Sequence, residues 1–414
     1  MTLTVDVAIV GAGPYGLSIA AHLAGRGIGF RIFGKPMETW RERMPEDMLL
    51  KSQGFASDLS SPDPAFSLRS FCQSHGLAYD DTRIPVSLKV FVEYGLFFQK
   101  HLVPDVDPRQ IVRIERIDGS FVLEAEDGQR FRAKRVILAV GIRDCAWIPP
   151  QLESLPSHLL THSSRHRQGA EFRGRDVTVI GGGASAIDFA ALFHSEGAKV
   201  CILARRPAIS YHKPPSPGGR SLWERLRRPS SGLGPGLLSR FFSDAPFLFR
   251  HFPKRLRLKL VREQLGPAPG WPMRERVEGK FPMFLGTRNL TASISDGRVL
   301  LKFLDQHGNL AEWLTEHVVA ATGYRANVHR LTFLSPSIRQ SIHTLADAPV
   351  LSLNFQSSVP GLYFVGLASV NSFGPVMRFT FGADCTARRI ARHLQDCVAD
   401  PAPRRLGSPA EALN

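Results

Sequence analysis

The stretches IVGAGPYGLS, residues 9–18, and VIGGGASAID, residues 179–188, decide the fold, because each places a glycine turn between an apolar strand and a helix. In a G-x-G-x-x-G turn the first glycine permits the tight bend, the second lets backbone approach a pyrophosphate, and the third lets helix and sheet pack closely. The N–H groups at the start of the helix then hold the phosphates. The residues predicted to contact nucleotides are Gly11, Ala12, Gly13, Pro14, Tyr15 and Gly16 in the first turn and Gly181, Gly183, Ser185 and Ala186 in the second.

A β-meander follows each glycine turn at a distance. Asp-Gly or Gly-Asn turns at 118–119, 127–128, 296–297 and 308–309 separate apolar runs, a strong hairpin signal. The repeat predicts an α/β protein with two Rossmann-like three-layer dinucleotide-binding domains, each with an antiparallel β-meander, plus a mainly helical or irregular basic insert. The predicted boundaries are 1–150 for the first part of the first domain, 151–318 for the second domain with its insert 207–280, 319–398 for the second part of the first domain, and 399–414 for a disordered tail.

The ends of the second strands predict different nucleotides for the two domains. The residue 23 positions after the first glycine usually carries a carboxylate that binds the ribose hydroxyls, but the second domain has Ala204 there, followed by Arg205 and Arg206. Guanidinium groups bind a 2′-phosphate, so NADPH is predicted, with NADH still possible if the two arginines form a solvated face. In the first domain this position is Gly34. Either Glu38 reaches the ribose or backbone alone holds the adenosine end, and FAD is assigned to this domain.

The net charge of +15 is concentrated in one segment. Residues 207–280 contain 15 Lys or Arg against 5 Asp or Glu, together with 11 Pro and 8 Gly. Two interpretations are open: a substrate lid whose positive field attracts an anionic substrate, or a basic and aromatic surface at 239–265 that contacts an anionic membrane. The lid is favoured. No nucleic acid partner is expected, because no nucleic-acid-binding module accompanies the charge.

Cysteine spacing and hydropathy exclude several classes of protein. The five cysteines form no C-x-x-C, which argues against a redox dithiol, a zinc ribbon or a disulfide framework, and no metal site is predicted. A strand pattern begins at Val5, and GAGPYG interrupts the first apolar run, so neither a secretory leader nor a membrane span is expected. The sequence therefore predicts a cytoplasmic protein and leaves its oligomeric state open.

Further stretches carry a family resemblance. They are ASDLSSPDPAFSLRSFC (56–72), IPVSLKVFVEYGLFF (84–98), HVVAATGYR (317–325) and GLYFVG (361–366). With the paired glycine turns, they resemble the two-dinucleotide-binding-domain flavoprotein monooxygenases of class B, which include flavin-containing, Baeyer–Villiger and N-hydroxylating enzymes. The resemblance implies an enzyme that reduces FAD with NADPH, forms a C4a-hydroperoxyflavin with dioxygen and hydroxylates a small soft nucleophile, such as the nitrogen of an amine or of an anionic, urate-like N-heterocycle. The alternative is an FAD/NAD(P)H oxidoreductase that passes electrons to a quinone or protein partner without oxygenation.

The resemblance also implies positions around the flavin. Trp40 and the run 48–53 fall where related enzymes stack side chains against the isoalloxazine, although Trp40 fits a core position equally well. A helix predicted to begin at Pro375 would direct its positive end at the flavin. Beside it, Asn371 and Arg378 are candidate catalytic residues, with capping or surface roles as the alternative. The other implied cofactor contacts are Ser52, Gln53, Thr322, Gly323 and Gly366.

Two departures from the family pattern narrow the range of possible reactions and substrates. The segment PSHLLTHSSRH keeps only His162 of the F-x-G-x-x-x-H-x-x-x-[YFW] signature found in flavin-containing and Baeyer–Villiger enzymes. Ser57 and Ser52 stand where ornithine and lysine hydroxylases carry Lys and Gln. A Baeyer–Villiger reaction is therefore disfavoured, and so are ornithine and lysine as substrates.

Overall fold

The computed structural model describes residues 3–212, 223, 227–263 and 268–399. The predicted tail lies outside these residues except for its first residue. The strands are β1 Leu3–Val10, β2 Phe30–Phe33, β3 Val106–Asp107, β4 Ile111–Ile117, β5 Ser120–Ala125, β6 Arg130–Leu138, β7 Leu160–His162, β8 Asp176–Ile180, β9 Lys199–Ala204, β10 Met283–Leu285, β11 Arg288–Ser295, β12 Arg298–Leu304, β13 Leu310–Thr315, β14 His317–Ala320, β15 Thr344–Leu345, β16 Ala348–Pro349 and β17 Leu362–Phe364. The helices are α1 Pro14–Ala24, α2 Glu38–Glu42, α3 Leu68–Ser74, α4 Leu88–Leu102, α5 Ala184–Ser195, α6 Leu237–Asp244, α7 Pro246–Phe249, α8 Lys254–Glu263, α9 Met273–Val277, α10 Pro336–Ser341, α11 Val370–Phe373 and α12 Gly382–Ala399.

The first unit is built on one continuous sheet with the strand order β3-β2-β1-β6-β5-β4. β1 is parallel to both of its neighbours, with Ile9 opposite Ile32 on β2 and Ile137 on β6. Besides β1, β6 has two further partners: its first part pairs antiparallel with β5, and its second part pairs parallel with β17. The meander and the parallel strands are therefore joined through β6.

The second unit keeps its meander separate from its parallel sheet. The parallel order is β10-β9-β8-β14-β7, and β11-β12-β13 form a sheet of their own. Between β13 and β14, the Glu316 N–H donates to the Asp176 carbonyl (3.0 Å), and the Glu316 carboxylate accepts from the Asp176 N–H (2.7 Å). These two hydrogen bonds fix the connection between the meander and the parallel sheet.

Helix α1 is buried between the first sheet and the long helix α12. It begins at Pro14, whose fixed φ suits the first helical position. Its side chains Leu17 and Ile19 are fully buried, and Ile390 and Leu394 of α12 lie in the same core. The glycine turn that precedes α1 is thus held by packing on both sides of the helix.

The described part of the insert packs on both units. α7 begins at Pro246 and α8 follows directly after Pro253, because proline interrupts a continuous helix. Phe242, Phe249 and Val261, from α6, α7 and α8, are buried in the core of the first unit. Helix α9 packs on α5 in the second unit. Among the described helices, none has the length and apolar character needed to cross a lipid bilayer.

The predicted fold class is confirmed: two parallel sheets, each with a glycine turn and a meander, carry a mainly helical insert. The predicted helix start at Pro375 is wrong. Residues 375–378 form one 3₁₀ turn, Phe379 is extended, and α12 begins only at Gly382. The physical reason is Tyr15, whose hydroxyl can donate to the carbonyls of Met377 (3.1 Å) and Phe379 (3.0 Å) and so engages groups that a continuous helix would use.

Candidate functional site

The first glycine turn leaves open space at the start of α1. Gly11 has φ of +111°, and a Cβ atom added there would lie 2.3 Å from the carbonyl oxygen of Ala139. Gly13 caps α1, and a Cβ atom on it would meet nothing within 4 Å. Because the first N–H groups of a helix have no intrahelical partners, this end of α1 suits a phosphate.

Gly16 and Tyr15 enclose the other side of the first turn. A Cβ atom on Gly16 would lie 1.9 Å from the carbonyl oxygen of Gly11, so a larger residue would force the backbone apart. The Tyr15 ring lies 3.7 Å from the Cβ position of Gly366. Burial raises the pKa of Tyr15, which keeps its hydroxyl protonated as a hydrogen-bond donor. The turn is thereby connected to the segment that follows β17.

The second glycine turn has the same construction. Gly181 has φ of +143°, and a Cβ atom there would lie 2.5 Å from the carbonyl oxygen of Ala321, the counterpart of Ala139. Gly183 caps α5, and its Cβ position is again open within 4 Å. Ser185 is partly exposed in the first turn of α5, whereas Ala186 is buried. The two turns therefore present helix ends of matching geometry.

Two crossover segments join the units beside these turns. Ala146 and Tyr324 form an antiparallel bridge, and the Trp147 N–H donates to the carbonyl of Gly323 (3.0 Å). The Thr322 hydroxyl donates to the Trp147 carbonyl. Gly323 has φ of +84°, a conformation that favours glycine. Thr322 and Gly323 thus connect the two crossovers, and their contact with a cofactor stays a prediction.

His162 holds the second crossover in place as a neutral residue. Its Nδ1 accepts from the Ser164 N–H (3.1 Å), so its Nε2 carries the proton and donates to the Gly323 carbonyl (3.1 Å). Burial lowers the pKa of His162 to about 4. The ring also lies edge-on to Tyr324, with centroids 5.2 Å apart. These contacts give the histidine a structural role.

The residues that follow β2 in the first unit and β9 in the second differ in charge and in backbone conformation. Arg205 and Arg206 follow β9 and are exposed. In the first unit, Gly34 has φ of +112°, and its Cβ position lies over the glycine turn. The Glu38 carboxylate accepts from the side-chain amide of Gln110 (3.2 Å), so one of its oxygens already has a protein partner. The roles of Arg205, Arg206 and Glu38 toward nucleotides stay predictions.

The segment expected to face the flavin ring contacts the second unit. Lys51 forms an ion pair with Asp188 of α5 (2.7 Å). Ser52 and Gln53 follow directly and are half-buried. The structure thus brings these two predicted residues to the boundary between the units.

Trp40 packs into the core of the first unit. Its ring lies edge-on to Phe91 of α4, with centroids 4.7 Å apart. The side chain is half-buried and belongs to the apolar cluster around the first sheet. This packing supports the core interpretation of Trp40, and its stacking on a flavin stays a prediction.

Gly366, Asn371 and Arg378 lie in the segment after β17. Gly366 has φ of +65° and begins the first turn of that segment. Asn371 is 7% exposed, and its side-chain nitrogen donates to the carbonyl of Leu345 (2.9 Å). The Arg378 guanidinium donates to the carbonyl of Val261 in α8 (3.0 Å), and burial lowers its pKa to about 10. Both side chains bond backbone, and their catalytic roles stay predictions.

Arg250 and Arg257 connect the insert to the first unit by hydrogen bonds. Arg250 donates to the carbonyl of Leu351, and Arg257 donates to the carbonyl of Asn371 (3.1 Å). Burial lowers the pKa of both guanidinium groups, and the charge of Arg250 lowers the pKa of Arg257 further. Within the described ranges, no carboxylate forms an ion pair with either arginine. These two arginines thus bring positive charge from the described part of the insert to Leu351 and Asn371 of the first unit.

Sequence reasoning missed the Lys51–Asp188 pair and the two arginines that hold the insert. Asp188 did offer a signal, because it is a single carboxylate in the apolar helix sequence ASAIDFAALF, 184–193. A buried carboxylate needs a partner. Its partner lies 137 residues away in the chain, a separation that no local pattern can bridge.

Comparison with known families gives a match over the first half of the chain. The family model described as pyridine nucleotide-disulphide oxidoreductase matches residues 5–228. The chain is 27% identical over 219 residues to the ferredoxin–NADP reductase of Thermus thermophilus, which covers 50% of this chain and 55% of the reductase. It is 29% identical over 154 residues to the FAD-dependent urate hydroxylase of Xanthomonas campestris pv. campestris, covering 35% of this chain and 33% of that protein. The chain thus spans about half the length, or less, of these curated relatives.

The whole described fold has counterparts among solved structures. The ornithine N-hydroxylase of Kutzneria sp. 744, solved with reduced FAD, NADP⁺ and L-ornithine, has a TM-score of 0.72 at 15% identity, covering 95% of this chain and 99% of that one. The expected resemblance to two-dinucleotide-domain flavoprotein monooxygenases is confirmed at the level of the fold. Because the matched residues 5–228 make up more than half of the 414-residue chain, the chain belongs to the pyridine nucleotide-disulphide oxidoreductase family.

Proposed function

We propose that the protein is an FAD- and NADPH-dependent monooxygenase that hydroxylates a nitrogen atom of a small amine or N-heterocycle. The observation that carries the two-cofactor part of this proposal is the pair of open helix ends at Gly13 and Gly183, and the fold shared with an ornithine N-hydroxylase favours the hydroxylation of nitrogen. Two such ends suit two dinucleotides. The Kutzneria enzyme of the same fold holds reduced FAD and NADP⁺ together.

FAD suits the first unit because its glycine turn is enclosed by the segment that follows β17. The end of α1 would bind the pyrophosphate, and Ser52 and Gln53 would lie along the ring. When bound, the flavin supplies hydride acceptance and reaction with dioxygen. The five cysteines, Cys72, Cys145, Cys201, Cys385 and Cys397, are free and form no C-x-x-C pair, and the proposed reaction uses no protein dithiol.

NADPH suits the second unit. The end of α5 would bind its pyrophosphate, and the exposed Arg205 and Arg206 at the end of β9 would bind the 2′-phosphate. Their guanidinium groups give charge-assisted hydrogen bonds that NADH cannot receive at that position. A preference for NADPH over NADH follows.

The insert supports a lid role and an anionic substrate. α6, α7 and α8 bury Phe242, Phe249 and Val261 against the first unit, so the inner side of the insert is used for packing over the C-terminal segment. Arg250 and Arg257 add half-buried positive charge there. A positive field of this kind attracts anions. An anionic N-heterocycle of the urate type, or an amine that carries a carboxylate, fits this charge.

A second candidate function is an FAD/NAD(P)H oxidoreductase that passes electrons to a quinone or a protein. The observation that favours it is the similarity of half of the chain to a ferredoxin–NADP reductase. In this function the two nucleotides keep the same places, and dioxygen has no role.

Oxygen dependence separates the two functions. The purified protein should be yellow, and its NADPH oxidation should be accelerated by the correct amine or heterocycle only in aerated buffer. In ¹⁸O₂, mass spectrometry should find one labelled oxygen atom in the product. NADPH oxidation at an unchanged rate without oxygen, once a quinone is supplied, would favour the second function. A colourless protein that takes up no FAD would contradict both.

A further inference from the structure

A buried ion pair joins the two units. The Lys51 ammonium nitrogen lies 2.7 Å from one carboxylate oxygen of Asp188 and 2.9 Å from the other. The side chains are only 10% and 6% exposed. Lys51 belongs to the first unit and Asp188 to helix α5 of the second, so the pair crosses the boundary between them.

Each partner is attached to a segment with a predicted nucleotide role. Lys51 directly precedes Ser52 and Gln53, which are expected along the flavin ring. Asp188 lies one helical turn after Ala184, the first residue of α5, whose end suits a pyrophosphate. The pair therefore connects the flavin-facing segment to the helix that would hold NADPH.

The ion pair is expected to act as a rigid connection. Removing one partner of a buried pair leaves an uncompensated charge, which is strongly destabilising, so the two side chains are held together in the folded protein. Burial raises the pKa of Asp188, and the nearby Lys51 charge opposes that rise. A ligand that fixes the position of α5 thereby restrains Lys51 and the two residues after it.

A second contact between the units serves as a comparison. Glu46 of the first unit lies 3.6 Å from the guanidinium of Arg167 and accepts from the side-chain amide of Gln168 (2.9 Å). Glu46 is 53% exposed and Arg167 is 43% exposed. Exposed pairs of this kind contribute little, because solvent screens them. The Glu46 contact crosses the same boundary without burial.

We propose that Lys51 and Asp188 are positioning residues that couple the two nucleotide sites, so that occupancy of the α5 end and occupancy of the flavin site strengthen each other. This inference rests on the proposed function, because it requires both FAD and NADPH. By linkage, the factor by which FAD tightens NADP⁺ binding equals the factor by which NADP⁺ tightens FAD binding.

The test measures NADP⁺ binding without turnover. The NADP⁺ dissociation constant is determined by calorimetry for the FAD-loaded and for the flavin-free protein. For the unaltered protein we expect NADP⁺ to bind at least about fivefold more tightly when FAD is present, the lower end of usual allosteric coupling. Lys51→Met should bring this ratio close to one, and Lys51→Arg should restore most of it.

Two further variants distinguish coupling from general stability. The double variant Lys51→Met with Asp188→Leu replaces the buried pair by apolar side chains and avoids a stranded charge, so it should fold and still show no coupling. Glu46→Gln is the matched control and should keep the full ratio. A purely structural role would shift the unfolding temperature of the variants and leave the ratio unchanged.

Coupling of normal size in the double variant would overturn the inference, and so would an unaltered protein that binds both nucleotides independently. An unaltered protein that binds neither nucleotide would overturn the proposed function, and this inference with it. The two failures are therefore distinguishable.

Discussion

At the third position of its glycine turn, the first unit has Gly16 and the second has Ala186. A Cβ atom on Gly16 would lie 1.9 Å from the Gly11 carbonyl oxygen, whereas the second unit accommodates the real Cβ of Ala186, 3.3 Å from the Cβ position of Gly181. Helix α1 therefore stands closer to its turn than α5 does. The two turns have the same fold, but the first leaves less space for a Cβ atom at the third position. The same type of substitution should therefore have different effects in the two turns.

The largest expected effect is that of Gly16→Ala. The added Cβ atom meets backbone that cannot rotate away, so we expect a loss of about 3 kcal/mol in the free energy of unfolding and a flavin content well below one per chain. Absorbance ratios of the purified protein and urea denaturation measure the two quantities. The control is Ala186→Gly, with a loss of about 0.5–1 kcal/mol from the added backbone freedom. Equal losses in the two variants would contradict the difference in clearance.

The next largest effect is expected when the positive charge after β9 is removed. Arg205→Ala is expected to weaken NADPH binding about tenfold to a hundredfold, because a hydrogen bond to a charged group contributes about 1.5–3 kcal/mol, and to leave NADH binding unchanged. Lys35 follows Gly34 at the corresponding place in the first unit and is exposed. Lys35→Ala should not change FAD binding. Binding titrations with both coenzymes check this, and an equal loss for NADPH and NADH would exclude a 2′-phosphate contact.

Buried histidines make the second unit sensitive to acid. Burial lowers the pKa of His162 and of His317 to about 4, from an ordinary value of 6.5. Between pH 6.5 and pH 4 the unfolded chain binds more protons than the folded one. The free energy of unfolding therefore falls as the pH falls, by up to about 1.4 kcal/mol per pH unit for each histidine.

Urea denaturation across this pH range measures the acid sensitivity. His162→Gln should reduce the slope of stability against pH, and the same change at the exposed His329 should leave the slope as it is. The first unit contains His22, whose pKa burial also lowers to about 4. If His22→Gln alone removed the whole dependence, the assignment of acid sensitivity to the second unit would be wrong.

The smallest effect is expected at the fifth position of each turn, where Tyr15 corresponds to Ser185. Tyr15→Phe removes the hydroxyl that donates to the carbonyls of Met377 and Phe379, which should cost about 1 kcal/mol of stability. Ser185 is partly exposed, so Ser185→Ala should change stability by less than about 0.5 kcal/mol. Thermal unfolding of both variants makes the comparison. A larger loss of stability in Ser185→Ala than in Tyr15→Phe would contradict this order.

The sequence predicts the architecture well, because glycine turns and hairpins are local signals. Gly11 and Gly181 adopt the positive φ that the turn requires, and the Asp-Gly hairpins lie between the expected strands. Elsewhere the prediction is limited, because the decisive contacts join residues that are far apart in the sequence. The interruption before α12 depends on Tyr15, which lies more than 360 residues away from Met377. A pattern confined to one segment cannot contain that contact.

The candidate site was predictable only in part, for the same reason. The two glycine turns were predicted from their spacing, and the structure shows an open helix end after each, while their contact with nucleotides stays a prediction. The Lys51–Asp188 pair and the bond from Arg257 to the Asn371 carbonyl depend on packing between distant segments. Asn371 was expected beside the flavin, but its side-chain nitrogen donates to the carbonyl of Leu345 in β15, 26 residues away in the chain.

The shared strand β6 has a consequence for biosynthesis. The second part of β6 pairs with β17, and α12 completes the core around α1, yet both elements follow the entire second unit in the chain. A nascent chain that has emerged as far as β14 contains every strand of the second sheet, while β6 still presents an unpaired edge. Such an edge invites pairing with other chains, so chaperone protection is expected to matter most during this interval. The unit that the ribosome begins first is the one that it finishes last.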